Sequence, residues 1–255
     1  MDERIRRVAQ AIERAERILI ISGAGLSADS GLPTYRGLGG LYNGCTEDGL
    51  PIESVLSASM LRDNPALCWK YLAELGRACL AARPNAAHRA IAALQRRKPL
   101  CQVLTQNIDG LQRAAGSPPA QLIEIHGELA PLYCQRCGRV DSDLQRHLQR
   151  PLPPRCADCD GMLRPPVVLF EERLPEAALA QLRTGLREGF EVVLAVGTSA
   201  SFPYIVEPVL QTRRHGGLTV EVNPQSTRLS AQVDVHLPGR AFDVLPALLG
   251  HSSDP

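Results

Sequence analysis

Four cysteines of the 255-residue chain fall in two pairs, Cys134-x-x-Cys137 and Cys156-x-x-Cys159, with 18 residues between the pairs. Each such turn offers two sulfurs to one ion, and two turns complete the tetrahedral shell that zinc prefers. Four thiolates leave no open position for water, so the metal they imply is structural. Two disulfides or a thiol redox pair are the other uses of this spacing. Cys45, Cys68, Cys79 and Cys101 have no such pairing and read as small core or surface residues.

A second chemistry is offered by the apolar stretch RILIIS (17–22), which runs into Gly23-Ala24-Gly25-Leu26-Ser27-Ala28. A glycine turn after a strand lets backbone N–H groups come close to a pyrophosphate. A dehydrogenase would continue into a long helix and a second strand, with an acidic residue roughly 20 positions on. Here DSGLPTYRGLGGLY follows, and Glu47 and Asp48 sit in NGCTEDG, which is not a strand. The turn therefore suits a nucleotide, hydride transfer is poorly supported, and a tight turn with no ligand is the plain alternative. His126 follows the apolar run 121–125. A histidine at a strand end is commonly structural, but a neutral imidazole near pH 7 is also the usual general base.

The elements that must position these groups alternate strand and helix. Strands are expected at 17–22, 100–105, 121–125, 166–170, 191–197, 217–222 and 233–237. Helices are expected at 4–16, 64–81, 85–97 (with Asn85 as cap), 175–188, 203–214 and 241–249. This predicts an α/β fold with a mainly parallel sheet covered on both faces. Two segments break the rhythm: 37–80, which overlaps a stretch at 36–60 that reads as irregular, and 127–165, which holds the cysteines. Hydrophobic residues make up 44% and charged residues 22% of the chain, and the net charge is +1. That balance argues against nucleic acid or an anionic membrane as main partner. No apolar run reaches the roughly 18 residues of a membrane span, and the charged N-terminal stretch lacks the features of a secretory signal. A cytoplasmic protein is expected, with reduced thiols.

Seven strings, in order over about 225 residues, resemble the motifs of the sirtuins: GAGLSADSGLPTYRG (23–37), TQNID (105–109), EIHGE (124–128), LRPPVVLFEE (163–172), VGTS (196–199), VNP (222–224) and GRAFDVLPALL (239–249). The resemblance implies a Rossmann-like parallel-sheet domain (1–36, 81–126 and 166–255). It implies a smaller domain made of a helical module (37–80) and a four-cysteine zinc module (127–165), with the active site in the cleft between. It implies NAD as cosubstrate, zinc as structural metal and acyl-lysine proteins as substrates. The reaction would be deacylation: the acyl oxygen attacks the ribose carbon bearing nicotinamide, and the acyl group ends on ADP-ribose. His126 would be the base, with Asn107 and Asp109 as further catalytic residues of the nicotinamide and ribose pocket. Gly23, Ala24, Gly25, Ser27, Tyr35, Arg36, Gln106, Ile108, Gly197, Thr198, Ser199, Asn223 and Ala241 would hold the cofactor, and Val168 and Phe170 the peptide.

Four departures from the family pattern matter. Glu171 stands where the substrate strand usually has glycine, so altered peptide pairing and a preference for basic flanks are expected. Gln112 replaces the histidine that usually follows TQNIDxL, with little catalytic effect expected. Tyr35 replaces a commoner phenylalanine. Desuccinylating relatives carry a Tyr and an Arg in the helix before PNAAH, where this chain has Leu72 and Leu75, with Tyr71 one position away. An apolar pair suits neutral acyl chains and not a carboxylate. Oligomeric state is open, with a monomer favoured. Mono-ADP-ribosylation or NAD hydrolysis in the same pocket is the main rival. A non-catalytic zinc-ribbon module on a nucleotide-sensing fold and a dehydrogenase are weaker ones.

Overall fold

The computed structural model of the chain describes residues 3–33 and 46–250. Nine strands occur there: β1 (Ile18–Ser22), β2 (Cys101–Thr105), β3 (Leu122–Glu124), β4 (Leu132–Cys134), β5 (Val140–Asp141), β6 (Leu163–Arg164), β7 (Val192–Val196), β8 (Leu218–Val222) and β9 (Val235–Leu237). The helices are α1 (Glu3–Arg14), α2 (Ile52–Val55), α3 (Ala58–Asp63), α4 (Pro65–Ala81), α5 (Ala86–Arg97), α6 (Leu111–Ala114), α7 (Leu144–Leu148), α8 (Glu176–Glu188), α9 (Pro203–Arg214) and α10 (Ala241–Leu248).

Six strands form one sheet in the order β3-β2-β1-β7-β8-β9, and every pairing in it is parallel. β1 and β7, at its centre, are buried at all five positions. This is why their sequences read as unbroken apolar runs: a parallel sheet is covered on both faces. Ile18 and Ile20 join a core with Val8 and Ile12 of α1, Ile91 and Leu94 of α5 and Leu245 of α10. Leu19 and Ile21 point the other way, into a core with Leu182 of α8 and Ile205 and Val209 of α9. The alternation along one strand thus sorts the helices onto the two faces.

Helix ends follow capping chemistry. Asn64 accepts from Leu67 N–H at 3.2 Å ahead of Pro65, which opens α4. Asn85 accepts from Ala87 and His88 N–H at 2.9 and 3.3 Å, and its own N–H donates to His88 Nδ1 at 3.3 Å, a capping box at the start of α5.

A third core lies apart from the sheet. It joins Ile52, Val55, Leu61, Trp69 and Leu72 of α2–α4 to Leu132, Leu144, Leu148 and Leu163 of the cysteine segment. The antiparallel ribbon β5-β4-β6 belongs to this half. Two expectations change here. The stretch expected to be irregular (36–60) contains α2 and the start of α3 within its described part. The strand expected at 166–170 is not in the main sheet. Pro165 and Pro166 have no N–H to give a ladder, and the segment becomes an extended strap. Val168 N–H donates to the His126 carbonyl at 2.8 Å, and Phe170 N–H donates to the Leu56 carbonyl at 2.9 Å. Ala58 N–H donates to the Phe170 carbonyl at 3.0 Å. The strap thereby ties the end of β3 to the start of α3.

Candidate active site

From β1 the chain moves outward through β2 to β3 on one side, while β7, β8 and β9 extend the other side. The switch point lies between β1 and β7, where open α/β sheets bind ligands beyond their carboxyl ends. The register aligns those ends, with Ser22 opposite both Thr105 and Val196. The loops after four strands meet there.

The glycines at this point interlock with one another. Gly25 N–H donates to the Gly197 carbonyl at 2.9 Å, and Gly23 N–H donates to the Val196 carbonyl at 3.0 Å. A Cβ on Gly25 would lie 2.7 Å from Gly197 Cα, and one on Gly23 2.8 Å from the Gly197 oxygen. Gly197 itself has φ +57. Glycine is required here because two backbones touch. The close fit keeps the floor of the crevice free of side chains, as a diphosphate-bearing ligand needs.

Around this floor stands a network of amides and hydroxyls. Gln106 Nε2 donates to Thr198 Oγ1 at 2.8 Å, and Asn223 Nδ2 donates to the Thr198 carbonyl at 3.0 Å. Asn107 Nδ2 donates to the Gly23 carbonyl and to Ser27 Oγ, both at 3.1 Å. Ser27 Oγ donates to Asp109 Oδ2 at 2.6 Å, and Leu111 N–H donates to Asp109 Oδ1 at 2.8 Å. Burial pushes the Asp109 carboxyl above its usual range, opposed by these two bonds. The network continues to a residue not singled out from sequence, His88 of PNAAH, whose Nε2 lies 3.3 Å from Ser27 Oγ. Burial pushes His88 down to about 4. Its Nδ1 accepts from Asn85 N–H, so Nε2 carries the hydrogen and donates to Ser27. The signal was present in sequence as the histidine three residues after a helix-capping asparagine.

His126 sits half-buried at the end of β3. Its Nδ1 lies 2.9 Å from the Gln106 carbonyl and its Nε2 2.7 Å from the Tyr204 hydroxyl. A carbonyl only accepts, so Nδ1 carries the hydrogen and Nε2 keeps its lone pair. Burial lowers the imidazole pKa, with the Gln106 contact opposing. The ring is therefore neutral near pH 7 and offers a basic nitrogen.

The remaining expected residues separate into those at the crevice and those elsewhere. Ala24 lies in the 23–27 turn, against which α10 packs, and Ala241 is buried at the start of that helix. Ser199 is exposed, with its hydroxyl 2.9 Å from that of Ser201. Ile108 packs against the third core, as do Leu72, which is buried, and Leu75. Val167 and Leu169 of the strap also enter that core, which turns half-buried Val168 and exposed Phe170 to the other side. Tyr71 does not face this core's interior with its hydroxyl, which donates to Asp48 Oδ2 at 2.6 Å. Tyr35 and Arg36 lie outside the described residues.

The strap is pinned by an ion pair that sequence reading missed. Arg164 donates to both Glu172 oxygens, at 2.7 and 3.0 Å, and to the Val167 carbonyl at 2.8 Å. Glu172 also accepts from Leu169 N–H at 2.9 Å. Its neighbour Glu171 adopts φ +72, a left-handed conformation that suits the glycine usual there. The Glu171 carboxylate turns back to accept from Ser59 N–H and Oγ, at 3.0 and 3.1 Å. That placement answers the start of α3 and leaves the carboxylate exposed beside the strap.

The four cysteine sulfurs lie within 4.8 Å of one another. Cys134 and Cys159 are 3.5 Å apart and Cys137 and Cys156 3.7 Å apart. These spacings are too long for a disulfide of about 2.05 Å. They match the edge of about 3.8 Å of a tetrahedron with zinc–sulfur bonds of ~2.3 Å. Gly161 stands behind the cluster, where a Cβ would come 2.8 Å from Cys134 Sγ. The donor set fits a structural zinc ion.

A switch-point crevice with a side-chain-free floor, a neutral imidazole at its edge and a zinc-type cluster in a second lobe defines a nucleotide-using enzyme of the Rossmann-like class. The chain belongs to the Sir2 family, whose model matches residues 23–203. It is 70% identical over 244 residues to NAD-dependent protein deacylase 2 of Pseudomonas aeruginosa, covering 96% of this chain and 95% of that protein. It is 65% identical to the like-named protein of Pseudomonas syringae pv. tomato, covering 95% and 98%. Among solved structures, a Sir2 homolog–NAD complex matches with TM-score 0.84 and 33% identity over 98% of this chain and 93% of that one. A Sir2–p53 peptide–NAD complex matches with TM-score 0.84 and 26% identity over 98% of both.

Proposed function

We propose that the crevice binds NAD and an acyl-lysine side chain, and that the protein is an NAD-dependent protein deacylase. The observation that carries this reading is His126: neutral, tautomerically fixed by Gln106, and joined through Val168 to the strap. When bound, NAD supplies the ribose carbon from which nicotinamide leaves, the acyl oxygen being the nucleophile and ADP-ribose the acyl acceptor.

The protein's part is placement and proton management. Gly23, Ala24, Gly25 and Ser27 line the diphosphate side. Gln106, Asn107, Ile108 and Asp109 form the nicotinamide and ribose side. Gly197, Thr198, Ser199, Asn223 and Ala241 hold the adenosine half. An amide oxygen is a weak nucleophile, so Val168 and Phe170 on the strap must hold the peptide close. Enclosure keeps water from intercepting the reaction. His126 Nε2 takes the proton from a ribose hydroxyl in the second stage.

Leu72 and Leu75 lie in an apolar core whose buried cation, Arg164, is already committed to Glu172. This supports neutral acyl groups as substrates. The third core, which joins 37–80 to 127–165 and also takes in Ile108, Val167 and Leu169, supports the division into a Rossmann-like domain (1–36, 81–126, 166–255) and a small domain (37–80, 127–165). Among the described residues no helix is long and apolar enough to cross a membrane. Acyl-lysine proteins as substrates and a cytoplasmic location complete the reading, with the oligomeric state open and a monomer favoured.

The test is a panel of acetyl-, butyryl-, myristoyl- and succinyl-lysine peptides with NAD, scored by mass spectrometry. Neutral chains are expected to turn over and the succinyl peptide to lag. Comparable turnover of succinyl- and acetyl-lysine would refute the neutral-acyl reading.

A further inference from the structure

Tyr204 lies in the first turn of α9, one residue beyond the stretch that the family model matches. Its ring stacks on Phe202, with centroids 5.3 Å apart and planes at 10°, and both rings meet His126 edge-on with centroids at 6.0 Å. Phe202 and Tyr204 pack on the core beneath α8 and α9. The phenol is therefore held by a rigid element, 2.7 Å from the one nitrogen of His126 that has a free lone pair.

We propose that Tyr204 is a positioning residue for His126: its hydroxyl donates to Nε2 in the NAD-free enzyme, holds the ring in place, and yields that nitrogen to a ribose hydroxyl when NAD binds. This rests on the deacylase reading given above. The exchange replaces one hydroxyl donor by another, so Nε2 keeps a donor partner throughout. Burial pushes the phenol up to about 12, so it donates at every physiological pH. A bond to the unprotonated nitrogen favours the neutral ring. Among the described residues, the groups that contact the imidazole are the Gln106 carbonyl, the Phe202 ring and the Tyr204 phenol, and Tyr204 is the titratable one of these. The carboxylates on the histidine's own segment, Glu124 and Glu128, are both paired with Arg113.

Tyr204→Phe keeps both ring contacts and removes only the hydroxyl. In the NAD-free full chain, His126 titration followed by NMR should move up by about half to one pH unit, the equivalent of one neutral hydrogen bond. The acid limb of kcat/KM for NAD, at saturating acetyl-peptide, should move with it, while that of kcat should stay in place. Replacing Tyr204 by 3-fluorotyrosine, a stronger donor, should move the same limb down, and keeps the test available if the phenylalanine variant fails to fold. Identical His126 titration in the two proteins would overturn the proposal. So would an equal shift in kcat, because Tyr204 would then remain on His126 with NAD bound. If the wild-type protein shows no NAD-dependent deacylation, the deacylase reading fails, and the NMR titration still decides whether Tyr204 holds His126.

Discussion

Gly127→Ala should uncouple His126 from the substrate strap. Gly127 has φ +72, and a Cβ there would lie 2.0 Å from the Pro166 oxygen, 3.0 Å from the Pro166 carbonyl carbon and 3.3 Å from Val167 Cα. Backbone atoms cannot rotate away, so the strap must retreat by more than ~1 Å to restore ordinary contact. The 2.8 Å bond from Val168 N–H to the His126 carbonyl would then fall outside hydrogen-bond range. Left-handed strain costs about 1–2 kcal/mol and the lost hydrogen bond about 1 kcal/mol. Alanine recovers about 0.4–1 kcal/mol through the unfolded state. Net destabilisation of about 2 kcal/mol should lower Tm by roughly 4–8 °C. A 1 Å displacement beside the base should cost about 100-fold in kcat/KM. Gly216→Ala is the control: its φ is +81 with no atom within 4 Å of the added Cβ, so it should lose about 1 kcal/mol and no activity. Thermal unfolding and peptide deacylation on both variants decide the matter. A Gly127→Ala protein as active as wild type, and no less stable than the control, would refute the reasoning.

Metal analysis should find one zinc per chain, and Cys156→Ser should abolish it and loosen the third core, seen as lost near-UV dichroism; unchanged stability after metal removal would contradict a structural role. Glu172→Gln should cost about 3 kcal/mol by removing the charge opposite buried Arg164 and turning one of the two oxygens it bonds into a donor. Burial pushes Glu172 up, but the Arg164 bonds and the Leu169 N–H outweigh it and hold the carboxyl below its ordinary range. Its contribution is therefore complete above the ordinary glutamate pKa and lost as pH falls through the depressed value; the variant's stability, by denaturant titration, should lack that acid-side loss. Glu171→Gly should change stability by less than ~0.5 kcal/mol, since relief of left-handed strain offsets the loss of the Ser59 bonds. It should weaken any preference for basic over acidic peptide flanks in paired peptide assays.

The main sheet was legible because its central strands are short, apolar and have glycine at one or both ends, so hydrophobic period and turn chemistry agree at 17–22, 191–197 and 217–222. The strap was misread because VVLF has strand composition, while the two prolines before it deny a ladder. The short helices α2 and α3 lack the length for a readable period; only Ser57, which accepts from Met60 N–H at 3.1 Å, marks a start. Glu171 could not be placed from sequence, since its anchor, Ser59, is 112 residues away. Tyr204 was invisible for the same reason, its partner being 78 residues distant. The cysteine cluster needed no such long reach, because each pair is formed within one turn.

The most direct test is the stoichiometry of the reaction with an acetyl-lysine peptide and NAD, followed by mass spectrometry. The account predicts equal amounts of nicotinamide, deacetylated peptide and acetyl-ADP-ribose from the wild type, with product formation lost in His126→Ala. Nicotinamide released while the peptide stays acetylated, with ADP-ribose on protein or free in solution, would contradict it and identify an ADP-ribosyltransferase or NAD hydrolase instead.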